Sequence, residues 1–298
     1  MTETTHSGEI AKLKEHVKPD GIWIGVYRRF IRHPIGMIGF FLVAVLIFVG
    51  IFGKQLAPYD PNLDMDFAAR FSGPTIEHPL GTDNNGRDTL SRILYGAEVS
   101  LKVAIIAVTL ATIIGTPLGM IAGYGPRVVD EVIMRFMDVL FAFPAILLAI
   151  AVLAILGRGV ENAMIAIGIV YIPIFARIAR GEVLSVKNEE FVEVARALGA
   201  SDAGILIRHI LPNILAPIIV EISLSLSFAI LAEAALSFFG LGTQPPDPSW
   251  GRMLDEGRDY FRQSLWMGMM PGLAIMLTVM GFNFLGDGLR DALDPKTR

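Results

Sequence analysis

The sequence predicts an all-α integral membrane protein with about six transmembrane helices, and three observations predict it. The chain of 298 residues is 53% hydrophobic and only 18% charged, against roughly 25% charged in an ordinary soluble domain. Its mean hydropathy is +0.56. Cut at its charges, it leaves uncharged runs near the length of about 20 residues that a helix needs to cross a bilayer core.

The first span lies between His33 and Lys54, the second between Lys102 and Arg127, the third between Asp138 and Arg158, and the last between Arg262 and Asp287. Two more are less clean: Asn162 to Ala176 is short, and Ile214 to Leu231 is interrupted by Glu221. The expected organisation is an N-terminal segment 1–34, a first helix 35–53, an outer loop 54–99, a core 100–287 and a tail 288–298.

Lys and Arg gather in alternate connections. They mark the N-terminus (Lys12, Lys14, Lys18, Arg28, Arg29, Arg32), the turn with Arg127 and Arg135, the segment from Arg177 through Lys187 to Arg208, and the tail with Arg290, Lys296 and Arg298. By the positive-inside rule these segments and both termini face the cytoplasm. A polar start followed by a full-length span, without a small-residue cleavage site, predicts no removable signal peptide.

Several function classes find no machinery. There is no cysteine, hence no thiolate nucleophile, disulfide or thiolate metal site. The sequence has no G-x-S-x-G elbow, no H-E-x-x-H pair and no G-x-x-x-x-G-K-[ST] phosphate loop. The five histidines, His6, His16, His33, His78 and His209, do not fall at ligand spacing, so no metal site is expected. A net charge of −4 spread over the chain gives no footprint for nucleic acid.

Along the spans, Gly115, Gly119 and Gly123 recur every fourth residue and should let another helix approach closely. Arg135 and Asp138 stand one turn apart and can pair. Pro144, in "FAFPAILLAI", should loosen the third span. The outer segment 236–264, with Pro245, Pro246 and Pro248, cannot be one helix, and Trp250 and Trp266 suit a membrane interface. In the loop before the second span, "DTLSRILYGAEVSL" has the spacing of a short amphipathic helix leading into the membrane.

Glu221 and Glu233 fall in the fifth apolar segment, where a charge at the bilayer centre costs at least ~2.5 kcal/mol. Twelve helical residues hold them about 18 Å apart, too far to act as an acid/base pair. Glu221 is expected to face the bundle interior or a water-filled path, and Glu233 the outer end. Two readings of Glu221 stay open: a residue of a substrate or ion path, or a hydrogen-bonded structural carboxylate.

The stretch "EEFVEVARALGASDAGILIRHILPN" at 189–213 is charged and amphipathic between two apolar regions. Phe191, Val194, Ala195 and Leu198 follow the spacing of one helical face. Glu189, Glu190, Glu193 and Arg196 occupy the rest, and Gly199 stands where a C-terminal cap belongs. Ser201 and Asp202 can start a second short helix, which Pro212 should interrupt before the fifth span. The pattern predicts a helix, a glycine turn and a helix at the membrane surface, with Phe191, Ala195 and Leu198 as a buried face.

In this stretch Glu193, Ala195, Gly199, Leu211 and Pro212 fall at the spacing of the E-A-A-x3-G-x9-I-x-L-P loop of bacterial ABC importer membrane subunits. Val194 replaces the middle Ala, and His209 stands where Ile is usual. Four further stretches, "HPLGTDNNGRDTLSR", "FAFPAILLAI", "AEAALSFFGLGTQPPDPSWGRML" and "NFLGDGLRDALDP", match the same branch from about residue 30 onward. The sequence resembles the C-type permeases of dipeptide, oligopeptide and nickel ABC importers.

The resemblance implies a type I ABC importer permease fold in the bacterial inner membrane, with a cytoplasmic coupling helix near 188–199. It implies that Glu193, Ala195, Gly199, Phe191, Leu198 and Arg196 couple to ATPase subunits. The chain would be non-catalytic and bind no cofactor, with ATP and Mg²⁺ on the partners. Those partners would be a homologous B-type permease, two ABC ATPases and an extracytoplasmic binding protein, all at the lipid bilayer, and the cargo would be peptide. A competing expectation is an ion-coupled secondary transporter using Glu221; it leaves the surface helix without a purpose, and no inverted repeat is visible.

Overall fold

The computed structural model describes residues 22–293; the lysines at 12, 14, 18 and 296 and Arg298 lie outside them. Helix α1 (Ile22–Ile31) leads into α2 (Pro34–Leu56), which starts at the Pro after the His33 N-cap. Helix α3 (Thr89–Tyr124) follows a turn-rich loop, and α4 (Arg127–Phe141) and α5 (Ala145–Leu156) form a bent pair. Then come α6 (Val160–Val186), the short α7 (Glu190–Ala197), the long α8 (Asp202–Phe238), α9 (Trp250–Arg258) and α10 (Trp266–Leu293).

Five helices, α2, α3, α6, α8 and α10, are each long and apolar enough to cross a membrane, and α4 with α5 makes a sixth if counted as one bent span. The third span is therefore not one helix. Its halves meet at 92°, because Pro144 pushes the preceding Phe143 out of helical geometry and then caps α5. Asp138, expected to pair with Arg135, instead accepts a hydrogen bond from Arg177 of α6 at 2.7 Å. The pair carries the chain from the end of α3 to the far end of the bundle, where the Gly159 N–H donates to the Leu241 carbonyl beyond α8.

The boundary expected at residue 99 falls inside α3, since the short amphipathic helix and the second span are one element of 36 residues. The tail expected from 288 likewise begins inside α10. Proline does not always break a helix here. Pro117, Pro173 and Pro271 sit inside helices, and neighbouring helices within a membrane re-satisfy what they free.

Pro212 corrects the expected interruption. A π turn, Ile205–Ile210, widens the backbone just before it, so α8 continues through the proline. The Leu211 N–H reaches back to the Leu206 carbonyl, and Asn213 Nδ2 donates to the His209 carbonyl at 2.7 Å. A π turn adds one residue to the ladder and so makes room for a ring that would clash in a regular helix.

The core is centred on α3 against α6. A Cβ added at Gly115, Gly119 or Gly123 would collide with the carbonyls of Ile172, Ala176 and Arg180 respectively. The glycine stripe thus brings two backbones into contact, and Phe175, Ala176 and Ala179 are fully buried beside it.

Candidate functional site

One end of the bundle carries α7 and the glycine turn; the other carries the loop 57–88 and α9. At the first end, Glu190 and Glu193 occupy the first turn of α7 and Arg196 the last, the order a helix dipole favours. Gly199 takes φ +83°, a conformation costly for any residue with a Cβ. The Gly199 N–H bonds the Arg196 carbonyl and the Ala200 N–H the Ala195 carbonyl, both at 3.0 Å, closing α7 with a Schellman motif. Ser201 then caps the start of α8 by accepting from the Gly204 N–H.

The expected buried face divides in two. Ala195 turns inward together with Val192, which is fully buried, and α7 packs on the π turn. Phe191 and Leu198 do not: they are 40% and 83% exposed, with Val194 at 52%. The i, i+3, i+4, i+7 spacing identifies an apolar stripe but does not say which edge of it faces the bundle. Val192 was missed because the i, i+3, i+4, i+7 series counted from Phe191 skips it.

Tyr124, the last residue of α3, was also missed. Its hydroxyl donates to Asp202 Oδ1 at 2.7 Å and accepts from Arg196 Nη2 at 3.2 Å, while the Arg196 guanidinium lies 6.0 Å from the ring centroid. Beside it, Lys187 Nζ donates to the Gly123 carbonyl at 2.9 Å. Nearby, a cleft of about 540 Å³ between α4 and α6 is lined by Asp130, Glu131, Arg135, Asp138, Arg177 and Arg180.

The intramembrane carboxylates have different settings. Glu221, in the middle of α8, is half-buried and accepts from Ser225 Oγ at 2.9 Å. Glu233 is fully buried; it accepts from Ser237 Oγ at 2.7 Å and from Ser100 Oγ of α3 at 3.0 Å. Hydroxyl donors supply what a desolvated carboxyl group needs.

At the opposite end lies a largely buried charged network. Asp83 accepts from Arg87 Nε at 2.6 Å and Arg92 Nη1 at 2.7 Å, and Glu256 of α9 accepts from Arg92 at 2.8 Å and Arg87 at 3.1 Å. Burial pushes the Glu256 carboxyl up, but Arg92, Arg87 and Arg252 outweigh it and hold the group below the ordinary carboxylate range. Asp88 caps α3 through the Ser91 N–H at 2.7 Å and lies 3.0 Å from His78 Nδ1. Trp250 Nε1 donates to the Ile93 carbonyl.

The fold and these two ends define a multi-pass membrane protein of the transporter class. The MetNI methionine ABC transporter, in inward-facing conformations, shares the fold at a TM-score of 0.56 and 17% identity, over 67% of this chain and 94% of that one. Residues 115–298 match the family model described as binding-protein-dependent transport system inner membrane component. Residues 21–74 match the N-terminal TM domain of oligopeptide transport permease C.

The chain belongs to that inner-membrane family and is a permease subunit of an ABC importer. It is 46% identical to the dipeptide transport system permease protein DppC of Alkalihalophilus pseudofirmus, over 93% of this chain and 90% of the relative. It is 48% identical to the glutathione transport system permease protein GsiD of Shigella dysenteriae, over 95% and 94%. The ion-coupled alternative for Glu221 is not favoured by these relationships.

Proposed function

We propose that the chain forms half of the translocation pathway for short peptides in an ATP-driven importer and works by alternating access. The observation that carries this reading is the protruding α7, whose Phe191, Val194 and Leu198 stand exposed on a helix locked by the Gly199 turn. An exposed apolar edge on a short rigid helix is what a groove on a partner recognises. Family membership supports ATPase subunits as the partner class; in this reading they bind ATP and Mg²⁺ and this chain is non-catalytic. Dipeptide and glutathione, the substrates in the relatives' names, are both short peptides and support that cargo.

In this reading α7 and both termini face the cytoplasm, and the loop 57–88 and α9 face outward toward a binding protein. A homologous permease supplies the other half of the pathway. Glu193, Ala195, Gly199 and Arg196 shape the coupling helix, Phe191 and Leu198 fill the ATPase groove, and Glu221 lines the path. Closure of two ATPases would move the coupling helices and rock the packed spans between two states.

The test is affinity purification of the tagged chain from native membranes, followed by mass spectrometry and an ATPase assay. We expect a second permease and ATPase subunits with the wild type, and loss of the ATPases with Gly199→Pro, which cannot take φ +83°. Recovery of the chain alone, without ATPase activity, would overturn the reading.

A further inference from the structure

The coupling helix is held by chain continuity with α6, by the packing of Val192 and Ala195 on the π turn, and by hydrogen bonds to one side chain at the end of α3. Tyr124 ends α3, some 70 residues before the turn in sequence, and touches both sides of it. Arg196 lies before Gly199 and donates to the phenol; Asp202 lies after Gly199 and accepts from it. A single hydroxyl thus spans the one position in this segment with a left-handed backbone.

What Tyr124 is attached to matters equally. The stripe Gly115, Gly119 and Gly123 seats the last turns of α3 on the backbone of α6, and closely packed helices shift as units rather than bending. A glycine turn held only by its own backbone hydrogen bonds could flex and absorb a push on α7. Held from both sides by α3, it cannot flex without breaking the phenol's bonds.

We propose that Tyr124 is a positioning residue for energy coupling: by bridging Arg196 and Asp202 across the Gly199 turn, it passes movement of α7 to the α3–α6 pair. This rests on the coupling role given to α7 above. It makes no contact with cargo or nucleotide necessary; the phenol acts through the two residues it holds. Its loss should therefore lower the transport obtained from each ATP rather than the assembly of the complex.

The experiment uses the complete importer in proteoliposomes, with uptake of a labelled dipeptide and ATP hydrolysis measured together. Tyr124→Phe keeps the ring and removes the hydroxyl, so the unfolding temperature and ATPase content of the complex should match wild type. Uptake per ATP should fall about five-fold, the scale of one hydrogen bond turned into a coupling energy. Asp202→Ala should produce a similar fall, and the double variant no more than either alone, since both remove one link.

An unchanged uptake per ATP in Tyr124→Phe would overturn the proposal, as would a double variant whose losses multiply. Loss of ATPase subunits from the Tyr124→Phe complex would also overturn it, because the phenol would then serve docking. A wild-type complex without ATPases would sink the proposed function and this proposal together, whereas failure of the variants alone removes only the latter.

Discussion

At the loop end, Asp83, Arg87 and Arg92 are buried and pair with one another and with the largely covered Glu256; at the α7 end, Phe191, Val194 and Leu198 stand exposed among the described residues. Each end violates the ordinary sorting of polar residues outward and apolar residues inward. The buried charges are closed off within the chain, so their network fastens the loop 57–88 and α3 to α9. The open apolar edge is unfinished. One end is a fixture of the subunit, and the other, in the function proposed above, is a surface completed by a partner.

The contrast breaks most visibly at Asp83. Asp83→Ala leaves two buried guanidinium groups with one carboxylate between them, and removing one partner of a buried ionic group costs about 3–5 kcal/mol. A thermal melt of the purified chain should show that loss; a melt unchanged from wild type would mean the network fastens nothing.

A smaller effect concerns pH. The folded state holds Glu256 below its ordinary range, so the carboxylate favours folding at neutral pH. That contribution fades as pH falls from the ordinary glutamate range, near pH 4, through the lowered value. The stability difference between wild type and Glu256→Gln should shrink on acidification, and a difference constant from neutral pH to about pH 3 would contradict the pairing.

The smallest effect belongs to the other end. Leu198→Ser removes the exposed apolar side chain that caps α7 and should change the chain's own stability by no more than ~0.5 kcal/mol. A larger loss in the same melt would place Leu198 in the bundle and erase the contrast.

Much of this was legible in the sequence where one local rule dominates. Hydropathy located the membrane-crossing segments, the four-residue glycine spacing anticipated the α3–α6 contact, and Gly199 announced the cap that its φ requires. Proline was harder to read: Pro144 breaks its helix while Pro212 rides through on a π turn, and the deciding factor is the backbone preceding each ring. The Arg87–Glu256 bond, 169 residues apart in sequence, and the Tyr124 bridge join segments that no periodicity relates. Phe191 and Ala195 share a stripe, yet only Ala195 is turned inward, because the π turn beneath α7 fixes which edge is covered.

The bend between α4 and α5 also bears on the parity of the spans. Helix α5 alone has 12 residues, about 18 Å at 1.5 Å per residue, shorter than a hydrocarbon core of ~30 Å. Counted by length it would not cross, and five crossings would leave Pro34 and Leu293 on opposite faces. Yet the bent pair starts beside Tyr124 and delivers the chain to Gly159, bonded to Leu241 at the far end. Counted as one bent span the pair gives six, an even number that agrees with Gly36 at the start of α2 meeting Gly288 near the end of α10, and both ends of the described chain lie on the face that carries α7.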